Sequence, residues 1–167
     1  MSNIKLVFLS LIVFFYANMV NADSDSKLIG VGNIIVSAMV SDDAISASLT
    51  DSKVKTEVEL LLRTYGVALA NKDDSVDAVL SIDVRSFFEY TVSGKLQGYY
   101  SVIDASLYEK ALVDRGGRSS NTPQIVTTWN YSKSVTGPKD SLVSQNMEAI
   151  TDIVKKFSNE YLKDNIK

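Results

Sequence analysis

The sequence contains no cysteine and no histidine in its 167 residues. Without cysteine the chain forms no disulfide, offers no thiol nucleophile and has no residue near its amino terminus to carry a lipid. Without histidine it lacks the usual general base, the commonest metal ligand and the ordinary Ser-His-Asp triad. Thiol catalysis and typical zinc sites are therefore excluded, and we expect neither a cofactor nor a bound metal.

Basic residues are also too few to form a large nucleic-acid surface, since 17 Lys and Arg stand against 20 Asp and Glu. A nucleic-acid footprint needs a basic face, so we expect no nucleic-acid partner. Only two prolines occur, and no internal repeat or low-complexity linker is present. The composition predicts one ordinary domain with room for a hydrophobic core.

The first 22 residues have the pattern of a secretory signal peptide. Lys5 precedes an apolar run over residues 6–17, which is shorter than the roughly 20 residues that a membrane-spanning helix needs. Val20, Asn21 and Ala22 form an imperfect small-x-small cleavage site before an acidic stretch. We expect cleavage after Ala22, a disordered lead-in over residues 23–27, a single domain over residues 28–167 and no stable membrane span after processing. An uncleaved anchor is the alternative. The expected location is the periplasm, with secretion beyond it as a variant.

The hydrophobic periods predict an α+β two-layer sandwich in the order β-α-β-β-β-β-α, with two amphipathic helices on one face of a mostly antiparallel sheet. Period-two alternation marks strands over residues 28–40 and 76–90, and a short strand is expected over residues 67–70. A strand over residues 97–113 pairs with each neighbour. A last strand places Ile125, Thr127, Trp129 and Tyr131 on one face. Helical stripes begin after Thr50 and after Pro138.

Aromatic side chains concentrate in three adjacent strands and supply the first candidate binding surface. One alternate set must face the helices, and the other must face solvent or a partner. Packing between neighbouring strands, without any binding role, accounts for about half of such aromatic clusters. The residues assigned to this binding surface are Tyr100, Tyr108, Trp129 and Tyr131.

Two further candidate sites are weaker. Arg115 and Arg118 flank two glycines in the polar loop over residues 114–123, where a partner's acidic patch is a better match than a nucleotide, although a plain hairpin loop is the default. A carboxylate pair for hydrolysis needs two acids about 5–10 Å apart in a cleft. Cross-strand charge pairing with Arg85 and Lys110 explains the same acids, which are Asp83, Glu89, Asp104 and Glu109.

Three stretches together resemble a group of small bacterial envelope domains. They are "ELLLRTYGVALA" at the end of the first helix, "DAVLSIDV" as a following strand, and "FSNEYLKDN" after a "TTWNY" strand. The layout is similar to that of the curli-secretion lipoprotein, the amino-terminal domain of the Tol-system propeller protein and the lipopolysaccharide-assembly lipoprotein. The resemblance implies a helix-on-sheet fold and an assembly or transport role. This chain departs from the lipidated members because it has no cysteine.

These patterns together predict a non-enzymatic binding or assembly module of the bacterial cell envelope that docks a protein partner. The partner is another envelope protein or a second copy of the chain. Two other classes remain open: a carboxylate-dependent hydrolase acting on envelope carbohydrate, and a carrier of small apolar ligands between the sheet and the helices.

Overall fold

A computed structural model describes residues 28–71, 75–111, 114–115, 118–119 and 123–165. The predicted α+β class and element order are confirmed, while the predicted leader and lead-in lie outside the described residues. The elements are β1 (Ile34–Val40), α1 (Asp42–Ser46), α2 (Asp51–Thr64), β2 (Ala78–Tyr90), β3 (Leu96–Ala111), β4 (Asp114–Arg115), β5 (Arg118–Ser119), β6 (Gln124–Gly137), a 3-10 turn (Lys139–Ser141) and α3 (Leu142–Asn165).

The main sheet has four strands in the order β1-β2-β3-β6. β1 runs parallel to β2, and β2, β3 and β6 form an antiparallel meander. The short strand predicted over residues 67–70 is reduced to one parallel bridge between Leu69 and Ile34, held by the Ile34 N–H on Ala68 O and the Ala70 N–H on Ile34 O. The long parallel crossover therefore joins β1 to β2 through α1 and α2.

Both long helices pack on the same face of the sheet, as their apolar stripes predict. α2 starts where Thr50 Oγ1 accepts a hydrogen bond from the Lys53 N–H at 3.3 Å. It stops at Gly66, whose φ of +82° suits a residue without a Cβ. Along α3 the buried positions recur at spacings of three and four. The core between the layers is mostly aliphatic. Three aromatic rings cluster where α3 meets β6, and they are Trp129, Phe157 and Tyr161.

Close backbone contact fixes the end of the sheet where α3 begins. A Cβ on Gly98 would lie 2.7 Å from Gly137 O, a distance that real Cβ atoms do not adopt. A Cβ on Gly137 would in turn meet Gln145 Oε1 at 2.6 Å. Because Gly137 leaves this space, Gln145 accepts a hydrogen bond of 2.6 Å from the Tyr99 hydroxyl. The glycine pair thus lets α3 approach β3 and β6 closely.

The first described residues are fastened to the last turn of α3. The Leu28 N–H donates to Asp164 Oδ2 at 2.8 Å, and the Gly30 N–H donates to Asn165 Oδ1 at 2.9 Å. Asn165 Nδ2 donates back to Leu28 O at 2.6 Å. These three bonds form a clasp between the two ends of the described domain. In the described part of the chain, no helix is long and apolar enough to cross a membrane.

Candidate functional site

The face of the sheet opposite α2 and α3, called the open face below, carries several exposed apolar side chains. Alternation along each strand sends one set of residues into the core and the other set to this face. Phe87 is 53% exposed and Ile125 is 74% exposed, which marks them as surface residues. The large apolar side chains on the open face are Ile35, Met39, Val79, Phe87, Tyr100, Val102, Tyr108 and Ile125.

A β-bulge in β6 decides which aromatic residues reach the open face. Leu107 lies opposite Trp129, whereas the next residue, Tyr108, lies opposite Thr127, so Thr128 is an extra residue in β6. An extra residue shifts the alternation by one position. Ile125 and Thr127 therefore share the open face with Tyr108, and the prediction that they share a face with Trp129 is wrong.

Trp129 and Tyr131 lie on the side that α3 covers. The Trp129 ring meets Phe157 edge-on, with 5.1 Å between centroids, and its indole N–H donates to Glu160 Oε2 at 2.6 Å. Lys156 Nζ sits 4.7 Å from the centroid of the Tyr131 ring. Of the four aromatic residues predicted to form one surface, only Tyr100 and Tyr108 are on the open face. Trp129 is a core residue, only 4% exposed.

The two ends of the open face differ in shape. At one end Phe87 lies directly opposite Tyr100, whose hydroxyl is 3.3 Å from Ser134 Oγ. At the other end a groove of about 490 Å³ opens beside Tyr108 and Ile125. Ser37, Val76, Val79, Ser81 and Lys110 also line this groove. This groove is on the open face. The ligand-carrier hypothesis required a cavity elsewhere, between the sheet and the helices.

A small ion cluster occupies the centre of the open face. Asp83 lies opposite Asp104 in the β2–β3 ladder, and Arg85 contacts both carboxylates, Asp83 at 3.5 Å and Asp104 through a shorter bond. The hydrogen bond to Asp104, together with the charges of both acids, raises the pKa of Arg85 above its ordinary value. Ser132 also donates a hydrogen bond to Asp104. The cross-strand charge pairing anticipated from the sequence is what joins these acids.

Of the other candidate acids, Glu109 lines the groove together with Asp77, whereas Glu89 lies at the opposite end of β2. Glu89 lies opposite Gly98, and Glu109 lies opposite Ala78 at the far end of β2. Asp43, at the start of α1, accepts a hydrogen bond from the Phe88 N–H at 3.0 Å and so serves the sheet. Within the described ranges, no three acidic side chains come together in a way that could hold a metal ion.

The loop candidates Arg115 and Arg118 are directly paired in the two-residue strands β4 and β5. Their side chains fall outside the described part of the structure, so their assignment to binding stays a prediction. The plain hairpin expected for residues 114–123 agrees with this backbone pairing.

No protein-family model matches the chain, and no curated protein matches it. Among solved structures it is similar to a PelC dodecamer from Paraburkholderia phytofirmans, at 18% identity over 75% of this chain and 84% of that chain, with a TM-score of 0.46. It is also similar to a minor lipoprotein from Acinetobacter baumannii (14% identity, 80% and 92% covered, TM-score 0.34). A third is rare lipoprotein B from Shewanella oneidensis (14% identity, 78% and 92% covered, TM-score 0.31). The second and third of these structures are lipoproteins.

Proposed function

We propose that the protein is a non-enzymatic binding module of the bacterial cell envelope that docks a protein partner on the open face. The observation that carries this proposal is that exposed apolar side chains lie at both ends of the open face, on either side of the central ion cluster. Large apolar patches rimmed by polar groups are typical of protein-binding surfaces. The signal-peptide pattern of the first 22 residues supports an envelope location.

The chemistry of the open face indicates the kind of partner that would fit. The groove beside Tyr108 and Ile125 suits a large apolar side chain, which would be shielded from water there. The central cluster holds two carboxylates against one guanidinium, so it has a net negative charge. A partner surface with an apolar anchor next to a Lys or Arg side chain is complementary to both features.

The same ion cluster supports a non-enzymatic role over the hydrolase alternative. Asp83 and Asp104 are both engaged by Arg85, and they stand on an exposed sheet surface with no cleft around them. A general acid for glycoside hydrolysis needs a carboxyl kept protonated by an enclosed apolar setting. The open face offers these two acids no such setting.

The test is crosslinking in intact cells that express the full chain, followed by pull-down and identification of the captured protein. The double variant Tyr108→Asp with Ile125→Asp places two charges beside the groove. Leu60→Asp is the matched control, because Leu60 is 56% exposed on α2 and lies away from the open face. We expect the wild type and the control to capture one discrete envelope protein, and the double variant to capture at least about tenfold less.

Binding of the purified captured protein to the wild type and to the same two variants then separates direct contact from indirect association. Equal affinity for the double variant and for the Leu60→Asp control would show that the open face is not the docking surface. Circular dichroism of each variant establishes that the sheet and helices are intact.

A further inference from the structure

The outer edge of β6 presents a row of unpaired backbone groups. β6 pairs only with β3 within the part of the chain that the structure describes. Hydrogen bonds to Ser41 and Asp43 show that the N–H groups of Ser86 and Phe88 face the β1 side of β2. Antiparallel residues alternate in the direction of their backbone groups, so Phe87 faces β3.

The same alternation can be followed across β3 to the edge. Phe87 opposes Tyr100, so Tyr100 bonds toward β2 and its neighbour Ser101 bonds toward β6, where it opposes Val135. The residues of β6 between the bonded positions must therefore direct their N–H and C=O groups away from the sheet. All four of these residues are exposed: Asn130, Ser132, Ser134 and Thr136.

This edge segment, residues 130–136, carries few of the usual protections of an edge strand. Natural edges are blocked by proline, by charged side chains, by bulges or by short length. Residues 130–136 contain no proline, the bulge lies before them at Thr128, and the one charged residue, Lys133, is turned to the helix side, where it pairs with Asp152. The β1 edge, in contrast, belongs to a seven-residue strand and is bridged at Ile34 by Leu69.

We propose that the edge segment pairs with the same segment of a second copy of this chain, antiparallel and about a two-fold axis. An unpaired edge takes an extended strand, because its donors and acceptors alternate at the spacing of another strand. The exposed side chains of Asn130 and Ser134 can hydrogen-bond to each other across the axis. A self-complementary patch of this kind gives a closed, isologous dimer.

The charge of Lys133 disfavours one of the possible registers between the two edge segments. A two-fold axis at Lys133 would set two ammonium groups directly opposite each other, which is unfavourable. An axis at Ser132 instead separates the two Lys133 side chains, because each then lies opposite Tyr131 of the copy. In this register Asn130 opposes Ser134 on both sides of the axis. The two four-stranded sheets then form one eight-stranded sheet, and the two open faces become continuous.

This inference goes beyond the proposed function and does not depend on it, because the strand pairing is made by backbone groups of β6 and not by Tyr108, Ile125 or the groove beside them. The test is sedimentation velocity on protein purified after expression of the full chain. Asn130→Lys with Ser134→Lys puts like charges opposite each other in the dimer, and Asn130→Glu with Ser134→Glu does the same with the opposite sign. Each double variant is expected to raise the dimer dissociation constant by about tenfold or more.

A mixture of the lysine and glutamate variants is expected to restore a dimer, because each Lys then opposes a Glu. Ser132→Pro tests the backbone directly. It removes an N–H group that points outward from the edge and makes no hydrogen bond to β3. The matched control is Ser52→Lys with Thr56→Lys, which adds the same charge on the exposed side of α2 and should dimerise like the wild type. Circular dichroism and the fluorescence of Trp129 show that each variant is folded.

A wild type that stays monomeric up to its solubility limit would overturn the proposal. So would lysine variants on the edge that dimerise as well as the α2 control. If the wild type is a monomer and Ser132→Pro loses a captured envelope protein, the occupant of the edge is a strand of that protein and not a second copy. Loss of partner capture in the Tyr108→Asp, Ile125→Asp variant bears only on the open face, so the two proposals fail independently.

Discussion

Trp129 on β6 and Glu160 on α3 are joined by a hydrogen bond of 2.6 Å from the indole N–H to the carboxylate. Glu160 also approaches Lys156 at 3.5 Å, and Trp129 is the single tryptophan of the chain. The pair ties the last third of α3 to the outer strand of the sheet. Its position beneath the helix makes the tryptophan a spectroscopic reporter of helix docking.

Glu160→Ala leaves the indole N–H of a buried ring without its acceptor. We expect the free energy of unfolding to fall by about 1–2 kcal/mol, the typical cost of an unsatisfied buried donor. Urea unfolding followed by tryptophan fluorescence measures it directly. Glu148→Ala is the control, because Glu148 is exposed on the same helix. An equal effect of both substitutions would show that the hydrogen bond does not matter.

Gly98→Ala would place a Cβ 2.7 Å from Gly137 O, where the neighbour is backbone and cannot swing away. The strand ends must separate, so we expect a loss of about 1–3 kcal/mol in unfolding free energy. The neighbouring Gln97→Ala, at an exposed position, should cost much less. If the two variants unfold at the same urea concentration, the approach of the two glycines is not tight in solution.

The ammonium of Lys133, hydrogen-bonded to Asp152, lowers the pKa of that carboxyl below its ordinary value. Because the pKa is lower in the folded chain than in the unfolded chain, the pair stabilises the fold above pH about 4, and its contribution is lost as the pH falls through the folded value. In an NMR titration, Lys133→Ala should return the pKa of Asp152 toward 3.8. Lys110→Ala, which leaves the pair intact, should not. An unchanged value in Lys133→Ala would contradict the pairing.

Asn146 is a fully buried residue of α3 on the side that faces the sheet. Its Nδ2 donates to Leu142 O at 2.7 Å and to Ser101 Oγ at 3.2 Å. Its Oδ1 has no hydrogen-bond partner among the described residues. Ser101 keeps a bond of 2.7 Å to Ser86 without it. Asn146→Leu keeps the number and branching of the side-chain heavy atoms and removes an unsatisfied acceptor, and we expect a gain of about 1 kcal/mol in unfolding free energy. A clear loss of stability in denaturant unfolding would mean that the acceptor is satisfied in solution.

Patterns that depend on one face being buried were predictable from the sequence. Leu80, Ile82 and Val84 alternate because each second residue of β2 meets the helices, and Thr50 and Gly66 bound α2 for local reasons. The bulge at Thr128 was not predictable. It is set by the pairing of β6 with β3, and no residue in this part of β6 signals it in the sequence. The extra residue places Ile125 and Thr127 on the open face while Trp129, opposite Leu107, lies in the core.

The tertiary role of Asp43 also escaped prediction. Acidic residues before a helix are typical of caps, yet the partner of Asp43 is the N–H of Phe88, 45 positions away. The site was half predictable for a similar reason. Tyr100 and Tyr108 follow from strand alternation, while the groove beside Ile125 depends on the register of all four strands of the main sheet.

The clasp between Leu28 and Asp164 joins residues 136 positions apart, so it closes a loop that contains nearly the whole described domain. Loop closure costs more entropy as the loop grows, and the β2–β3–β6 meander has far shorter connections. We expect the meander to assemble early in folding and the clasp to close last, once the carboxyl-terminal turn of α3 has been synthesised. A chain that crosses a membrane amino terminus first would thus remain open at its leading end until its final residues arrive.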